Sequence, residues 1–167
     1  KGALGANTTA SYNVAVGYYA LNANTTGQYN IAVGHGALDS NTDGGTNIAV
    51  GYNALTGNTS GIRNNGFGHG AIGTNSTGSR NVGVGYAALN ANTSGTRNTA
   101  VGNDALTSNT TASHNTAVGD RALYSNTTGE NTSVGMMSLY SNTTGTQNTA
   151  IGRASLGSNT TADNNTA

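Results

Sequence analysis

Asn30-Ile31-Ala32-Val33-Gly34 returns as Asn47-Ile48-Ala49-Val50-Gly51, then from Asn98 to Gly102, from Asn115 to Gly119 and from Asn148 to Gly152. Two residues after each copy comes Ala-Leu or a close variant. The closing glycine falls at Gly17, Gly34, Gly51, Gly68, Gly85, Gly102 and Gly119, always 17 apart, then at Gly135 after a step of 16, then at Gly152. A fixed period of this kind marks a solenoid, in which one short unit stacks on copies of itself because it cannot bury its apolar face alone. Within the quoted stretch Ile31 and Val33 alternate with Ala32, the period of a half-buried strand. The regular Gly, Asn and Thr disfavour helix. The fold class predicted is all-β, a parallel β-solenoid or β-roll with one 17-residue coil per repeat, successive coils lying about 4.8 Å apart. The Ala-Leu segment is expected to supply a second short strand.

Working outward from the strand, two apolar columns are expected inside. One holds Val16, Val33, Val50, Phe67, Val84, Val101, Val118, Val134 and Ile151; the other holds Leu21, Leu38, Leu55, Ile72, Leu89, Leu106, Leu123, Leu139 and Leu156. In the fourth repeat Phe67 is accompanied by Gly66, by Gly83 one coil on and by Ile72, a large group flanked by small ones as a packed interior requires. Two asparagine columns survive every other change. Asn30, Asn47, Asn64, Asn81, Asn98 and Asn115 form one, and Asn24, Asn41, Asn58, Asn75, Asn92 and Asn109 the other. Stacked amides bond to their copies above and below, so both columns read as ladders at the turns. The competing explanation is that Asn tolerates left-handed turn geometry. Glu130 stands alone between Gly129 and Asn131, where other repeats have two residues, and a loss tolerated there marks a surface turn.

Residues 1–167 thus form a single repeat array of about nine full coils, opening and closing inside a repeat, which is expected of a piece of a longer fibre. Charged residues are 7% of the chain and the formal net charge is zero, which removes the electrostatic case for nucleic acid or an anionic membrane surface as partner. No apolar run approaches the length that crosses a bilayer. Each coil carries only about three large apolar groups, too few to offset the ordering of its residues, so burial between chains is expected and a homo-oligomer is the natural remedy.

Asn47-Ile48-Ala49-Val50-Gly51 and Asn148-Thr149-Ala150-Ile151-Gly152 resemble the S-V-A-I-G repeat of trimeric autotransporter adhesin heads of the YadA-like type. The longer unit Ala122-Leu123-Tyr124-Ser125-Asn126-Thr127-Thr128-Gly129 is similar to repeats of long phage and bacterial tail-fibre proteins. The resemblance covers the whole chain. It implies a homotrimer of left-handed parallel β-rolls, extracellular on a virion or bacterial cell surface and used for attachment. The adhesin repeat is shorter, so the additional residues here enlarge a turn around Asn-Thr-Thr-Gly.

Two variable columns are candidates for surface contact. Tyr18, His35, Tyr52, His69 and Tyr86 follow the motif glycine and form an aromatic ridge able to stack on sugar rings or on a partner's apolar surface, although such residues also cover turns and line interfaces. Arg63, Arg80, Arg97 and His114 form a basic stripe suited to sulfated or phosphorylated glycans, against the plainer reading of a solvated ridge. His35 and His69 lie two coils apart, too far for one ion, and no metal or cofactor is expected. Asp104 and Asp120 imitate a glycosidase acid pair, but Arg121 shares a column with Asp104 and a surface ion pair is the simpler account. No enzyme is expected. The function expected is a structural and adhesive fibre segment whose partners are its own copies and a host-surface glycan or receptor, with no nucleic acid and no membrane insertion. The alternatives are an ice-binding solenoid using columns such as Thr25, Thr59, Thr93, Thr110, Thr127, Thr143 and Thr160, a repeat-built glycan hydrolase, or a self-assembling extracellular filament.

Overall fold

The structure is a computed structural model that describes residues 2–167. Nine strands of three residues each follow one another: β1 (Val14–Val16), β2 (Ile31–Val33), β3 (Ile48–Val50), β4 (Asn65–Phe67), β5 (Val82–Val84), β6 (Thr99–Val101), β7 (Thr116–Val118), β8 (Thr132–Val134) and β9 (Thr149–Ile151). They form one parallel sheet in chain order. Every residue pairs with its own equivalent one repeat on, as Ile31 with Ile48 and Val33 with Val50. The chain is therefore an all-β parallel solenoid with turns of about 17 residues, and no helix occurs among the described residues. Register is set by the repeat itself, since a one-residue slip would take the inward residue to the outer face.

Each strand stops after three residues because the motif glycine turns the chain. Its φ lies between +125° and +139° along the array. A Cβ placed on Gly51 would also meet the carbonyl oxygen of Gly68 in the next coil. Both conditions exclude an L side chain.

The Ala-Leu segment is not the second strand expected from the sequence. It is a corner in which left-handed residues alternate: Leu38 (φ +53°) follows Gly36 (φ +65°), and Leu55 (φ +51°) follows Asn53 (φ +53°). All nine members of the Leu column, Ile72 included, have φ between +48° and +55°. Left-handed geometry costs an L residue roughly 1–2 kcal/mol. Here it keeps the backbone polar groups bonded to neighbouring coils, Leu38 N–H donating to the Ala54 carbonyl at 3.1 Å and Gly36 N–H to the Tyr18 carbonyl at 2.9 Å.

That corner decides the core, and it reverses half of the expected assignment. Leu21, Leu38, Leu55, Ile72, Leu89, Leu106, Leu123 and Leu139 are fully buried, with Leu156 half-buried in the last coil. Two small positions also face inward: the middle residue of each strand, Ala32, Ala49, Gly66, Gly83, Ala100, Ala117, Ser133 and Ala150, and the residue before each leucine, Ala20, Ala37, Ala54, Ala71, Ala88, Ala105, Ala122 and Ser138. Val16, Val33, Val50, Phe67, Val84, Val101, Val118, Val134 and Ile151 are not core residues of the single chain. They point outward from the sheet, with Val16 59%, Phe67 39% and Ile151 65% exposed. The leucine of each corner fills the narrow interior, so the facing strand has room for a methyl group and no more.

Compensation in the fourth repeat accordingly involves other partners than Phe67. A Cβ on Gly83 would lie 2.6 Å from Ile72 Cγ1, so the branched Ile72 occupies the space that alanine fills elsewhere. The eighth coil makes a different exchange. Both of its small inward positions are serine, and Ser133 and Ser138 bond to each other through their hydroxyls. The Ser138 carbonyl also lies 2.9 Å from Ser133 Oγ and the Gly135 carbonyl 2.9 Å from Ser138 Oγ, so each hydroxyl proton has an acceptor and neither group is stranded.

The two asparagine columns bond differently. In the one holding Asn24, amide follows amide: Asn41 Nδ2 donates to Asn24 Oδ1 at 2.8 Å, and Asn58 to Asn41, Asn75 to Asn58 and Asn92 to Asn75 at 2.7 Å each. In the one holding Asn30, the side-chain oxygen accepts from the backbone N–H of the next asparagine, as Asn30 Oδ1 does from Asn47 at 3.0 Å. One carbonyl joins the columns, since Gly61 O accepts from both Asn47 Nδ2 at 2.8 Å and Asn58 Nδ2 at 3.0 Å. Neither column is left-handed, so hydrogen bonding rather than turn tolerance places asparagine there.

The missing residue belongs to the Asn-Thr-Thr turn and not beside Glu130. Glu130 keeps the left-handed φ (+65°) of its column, and Thr128 O takes over the acceptor role that Gly61 O plays earlier, binding Asn115 Nδ2 at 2.8 Å and Asn126 Nδ2 at 2.5 Å. Asn126 therefore does not reach back to Asn109, and Asn109 Oδ1 is left buried without a partner.

Candidate functional site

Three surface features run along the axis, each produced by one column of the repeat. Immediately after the motif glycine, Tyr18, His35, Tyr52, His69 and Tyr86 form one continuous stack, with centroid separations of 5.3, 5.1, 4.9 and 5.1 Å and planes within 27° of each other. The structure thus brings all five predicted residues together. It also changes what they offer, because each inner ring turns both faces to its neighbours. A sugar cannot stack on a face already covered, and the ridge presents phenol and imidazole edges instead. The Tyr18 phenol is held above its ordinary value by hydrogen bonding and charge repulsion with Tyr19 and then by desolvation.

The second column runs Tyr12, Tyr29, Thr46, Arg63, Arg80, Arg97, His114, Glu130, Gln147 and Asn164, all exposed and all left-handed, with φ between +56° and +65°. Backbone bonds to the preceding coil fix their spacing: Arg63 N–H donates to Gly45 O at 3.2 Å, Arg80 to Ile62 O at 2.9 Å and Arg97 to Ser79 O at 3.1 Å. Tyr12 and Tyr29 stack with centroids 5.0 Å apart and planes 3° apart. At the other end Arg97 Nη1 lies 3.3 Å from His114 Nε2, and Gln147 Nε2 donates to Glu130 Oε2 at 3.1 Å. Beside this end, where the short coil has drawn in, a cavity of about 460 Å³ is lined by Ser113, His114, Gly129, Glu130, Thr146 and Gln147. A lost residue announces a local change in the sequence, but not that it opens a recess.

The third feature is the outer face of the sheet, which sequence reasoning had placed inside. Two columns lie side by side on it, an apolar one from Val16 to Ile151 and a mixed one in which Val14, Ile31, Ile48, Asn65 and Val82 give way to Thr99, Thr116, Thr132 and Thr149. Strict alternation was the signal for this face. Which of the two faces is inside follows only from the left-handed corner.

Asp104 and Arg121 occupy the same left-handed column, whereas Asp120 falls in the aromatic column. Most hydroxyls of the threonine column are engaged within the array, Thr110 and Thr160 excepted. Thr25, Thr42, Thr59 and Thr93 each donate to the carbonyl one coil on, at 3.0 to 3.1 Å, and Thr127 and Thr143 do so at 2.8 and 2.9 Å. Compared with family models, curated proteins and solved structures, the chain matches none.

Proposed function

We propose that the chain is a segment of an extracellular attachment fibre, displayed on a virion or bacterial surface, that works as a homotrimer and has no enzymatic activity. The observation that carries this reading is the uncovered outer face of the sheet. A contiguous apolar strip along nine coils is the kind of surface that soluble proteins cover with a partner. Its side chains recur once per coil, and a second copy of the same chain has that rise built in. Closed rotational assembly then buries the strip on every protomer at once and leaves no unpaired face. The likeness of Asn47–Gly51 to adhesin head repeats supports three copies as the closed form.

The ice-binding alternative is less favoured, because five of its seven threonine hydroxyls spend their protons on neighbouring carbonyls. The test is the mass of the assembled particle by multi-angle light scattering, for the native chain and for Val50→Asp and Val101→Asp on the outer face. Three chains are expected for the native protein and a shift to monomer for the variants, each of which places a charge in the buried strip. A native monomer would defeat the proposal.

A further inference from the structure

We infer that the column Arg63, Arg80, Arg97 is a binding track for a linear acidic polysaccharide carrying one carboxylate or sulfate per sugar residue and lying along the fibre axis. This deepens the attachment reading and rests on it for its biological setting. The chain has six lysines and arginines, and three of them stand in one column in three consecutive coils. In-register like charges repel, so this column weakens the free protein unless something anionic lies across it. Of the protein's six acids, Glu130 and Asp163 accept hydrogen bonds from Gln147 and Thr146, away from these arginines. Arg63, Arg80 and Arg97 are exposed, and their backbones are pinned to the preceding coil, which holds the charges at a fixed rise.

That rise selects the ligand. Aromatic centroids in successive coils are 4.9 to 5.3 Å apart, which measures the step from one guanidinium-bearing residue to the next. One sugar ring in an extended pyranose chain advances by a closely similar length, so a polymer with one anion per ring meets one arginine per ring. Phosphates along one strand of a duplex repeat about every 3.4 Å and fall out of step. Each guanidinium offers a planar pair of donors matched to carboxylate or sulfate oxygens. The track is bounded on both sides. Below Arg63 come Thr46 and the stacked Tyr29 and Tyr12, and beyond His114 the Glu130 carboxylate turns an anionic chain away at the recess of the short coil. The positive stretch from Arg63 to Arg97 spans three coils and takes a segment of about three sugars.

The experiment is isothermal titration of the assembled full chain with oligomers of polygalacturonate (carboxylate only), heparin (sulfate and carboxylate), neutral dextran and single-stranded DNA. The proteins compared are native, R63Q/R80Q/R97Q and the off-track control R121Q/R153Q. Native protein is expected to bind at least one acidic glycan, more weakly as salt is raised, and to ignore dextran. The triple variant is expected to lose about tenfold or more in affinity while the control stays within about twofold. Binding to polygalacturonate identifies carboxylate as sufficient, and binding to heparin alone identifies sulfate as required. The proposal is overturned if native protein binds neither glycan, if DNA is bound in preference to both, or if control and triple variant lose affinity equally. Light-scattering mass of the same samples separates the two readings. A trimer that binds no glycan retains the assembly and defeats the track, whereas a monomer that binds through the three arginines does the reverse.

Discussion

Ile72 carries two burdens at once, a β-branched side chain and a left-handed backbone at φ +53°, in a column where every other member is leucine. It is tolerated because Gly83 has withdrawn its methyl group from the position where Ile72 Cγ1 lies. The pair should therefore behave as a unit. Gly83→Ala alone is expected to destabilise the chain by about 1–3 kcal/mol through overpacking. Combined with Ile72→Leu, which restores the pairing used in most other coils, it should return to within about 1 kcal/mol of the native chain, a coupling well outside simple additivity. Urea denaturation of the two single variants and the double variant measures this directly. Additive costs would mean that the two side chains do not share the space. Ser133 and Ser138 meet the same constraint with hydrogen bonds in place of volume, since each buried hydroxyl has the other and a backbone carbonyl within reach.

At the scale of one coil, the asparagine ladder converts a weak local contact into a repeating bond, and the short coil shows what happens when it is interrupted. Asn58 gives bonds to Asn41 Oδ1 and Gly61 O and accepts one from Asn75. Asn109 gives bonds to Asn92 Oδ1 and Ala112 O but accepts none. The same truncation in the same column should therefore have unequal effects. Asn58→Ala is expected to cost about 3 kcal/mol, and Asn109→Ala less by about 1–2 kcal/mol, because the native chain has already lost that acceptor's partner. Comparative thermal denaturation, with hydrogen exchange of the flanking amides, reads the difference; equal costs would show that the amide-to-amide bond contributes nothing. The coil itself was legible in the sequence because recurrence fixes period, register and the invariant Leu and Asn positions. The inward face was not. Alternation states that Val33 opposes Ala32 without saying which is inside, and size suggests valine. The answer depends on Leu38 entering from a left-handed corner, a conformation that leucine's own preferences give no reason to expect. The aromatic recurrence was equally plain at Tyr18, His35 and Tyr52, but the sequence does not say that the rings spend their faces on one another.

On the scale of the whole molecule, each coil touches only the coils before and after it, so the array is close to one-dimensional and its stability is close to a sum over repeats and their interfaces. Two consequences can be set against each other in a single pair of deletions. Removing residues 47–63, one full period, joins Thr46 to Asn64 and brings β2 directly against β4 in unchanged register, with Asn75 able to donate to Asn41 in place of Asn58. The shortened chain should keep its β-rich circular dichroism and its assembly state, and lose only the stability of one coil. Removing residues 47–60 instead takes out a stretch shorter than the period. It leaves the rest of the turn with no strand to complete it, so the glycine, leucine and asparagine columns no longer meet their equivalents. That variant should lose cooperative unfolding across the junction although fewer residues are gone. A larger loss from the longer deletion would mean that stability here follows the amount of chain rather than the match between coils.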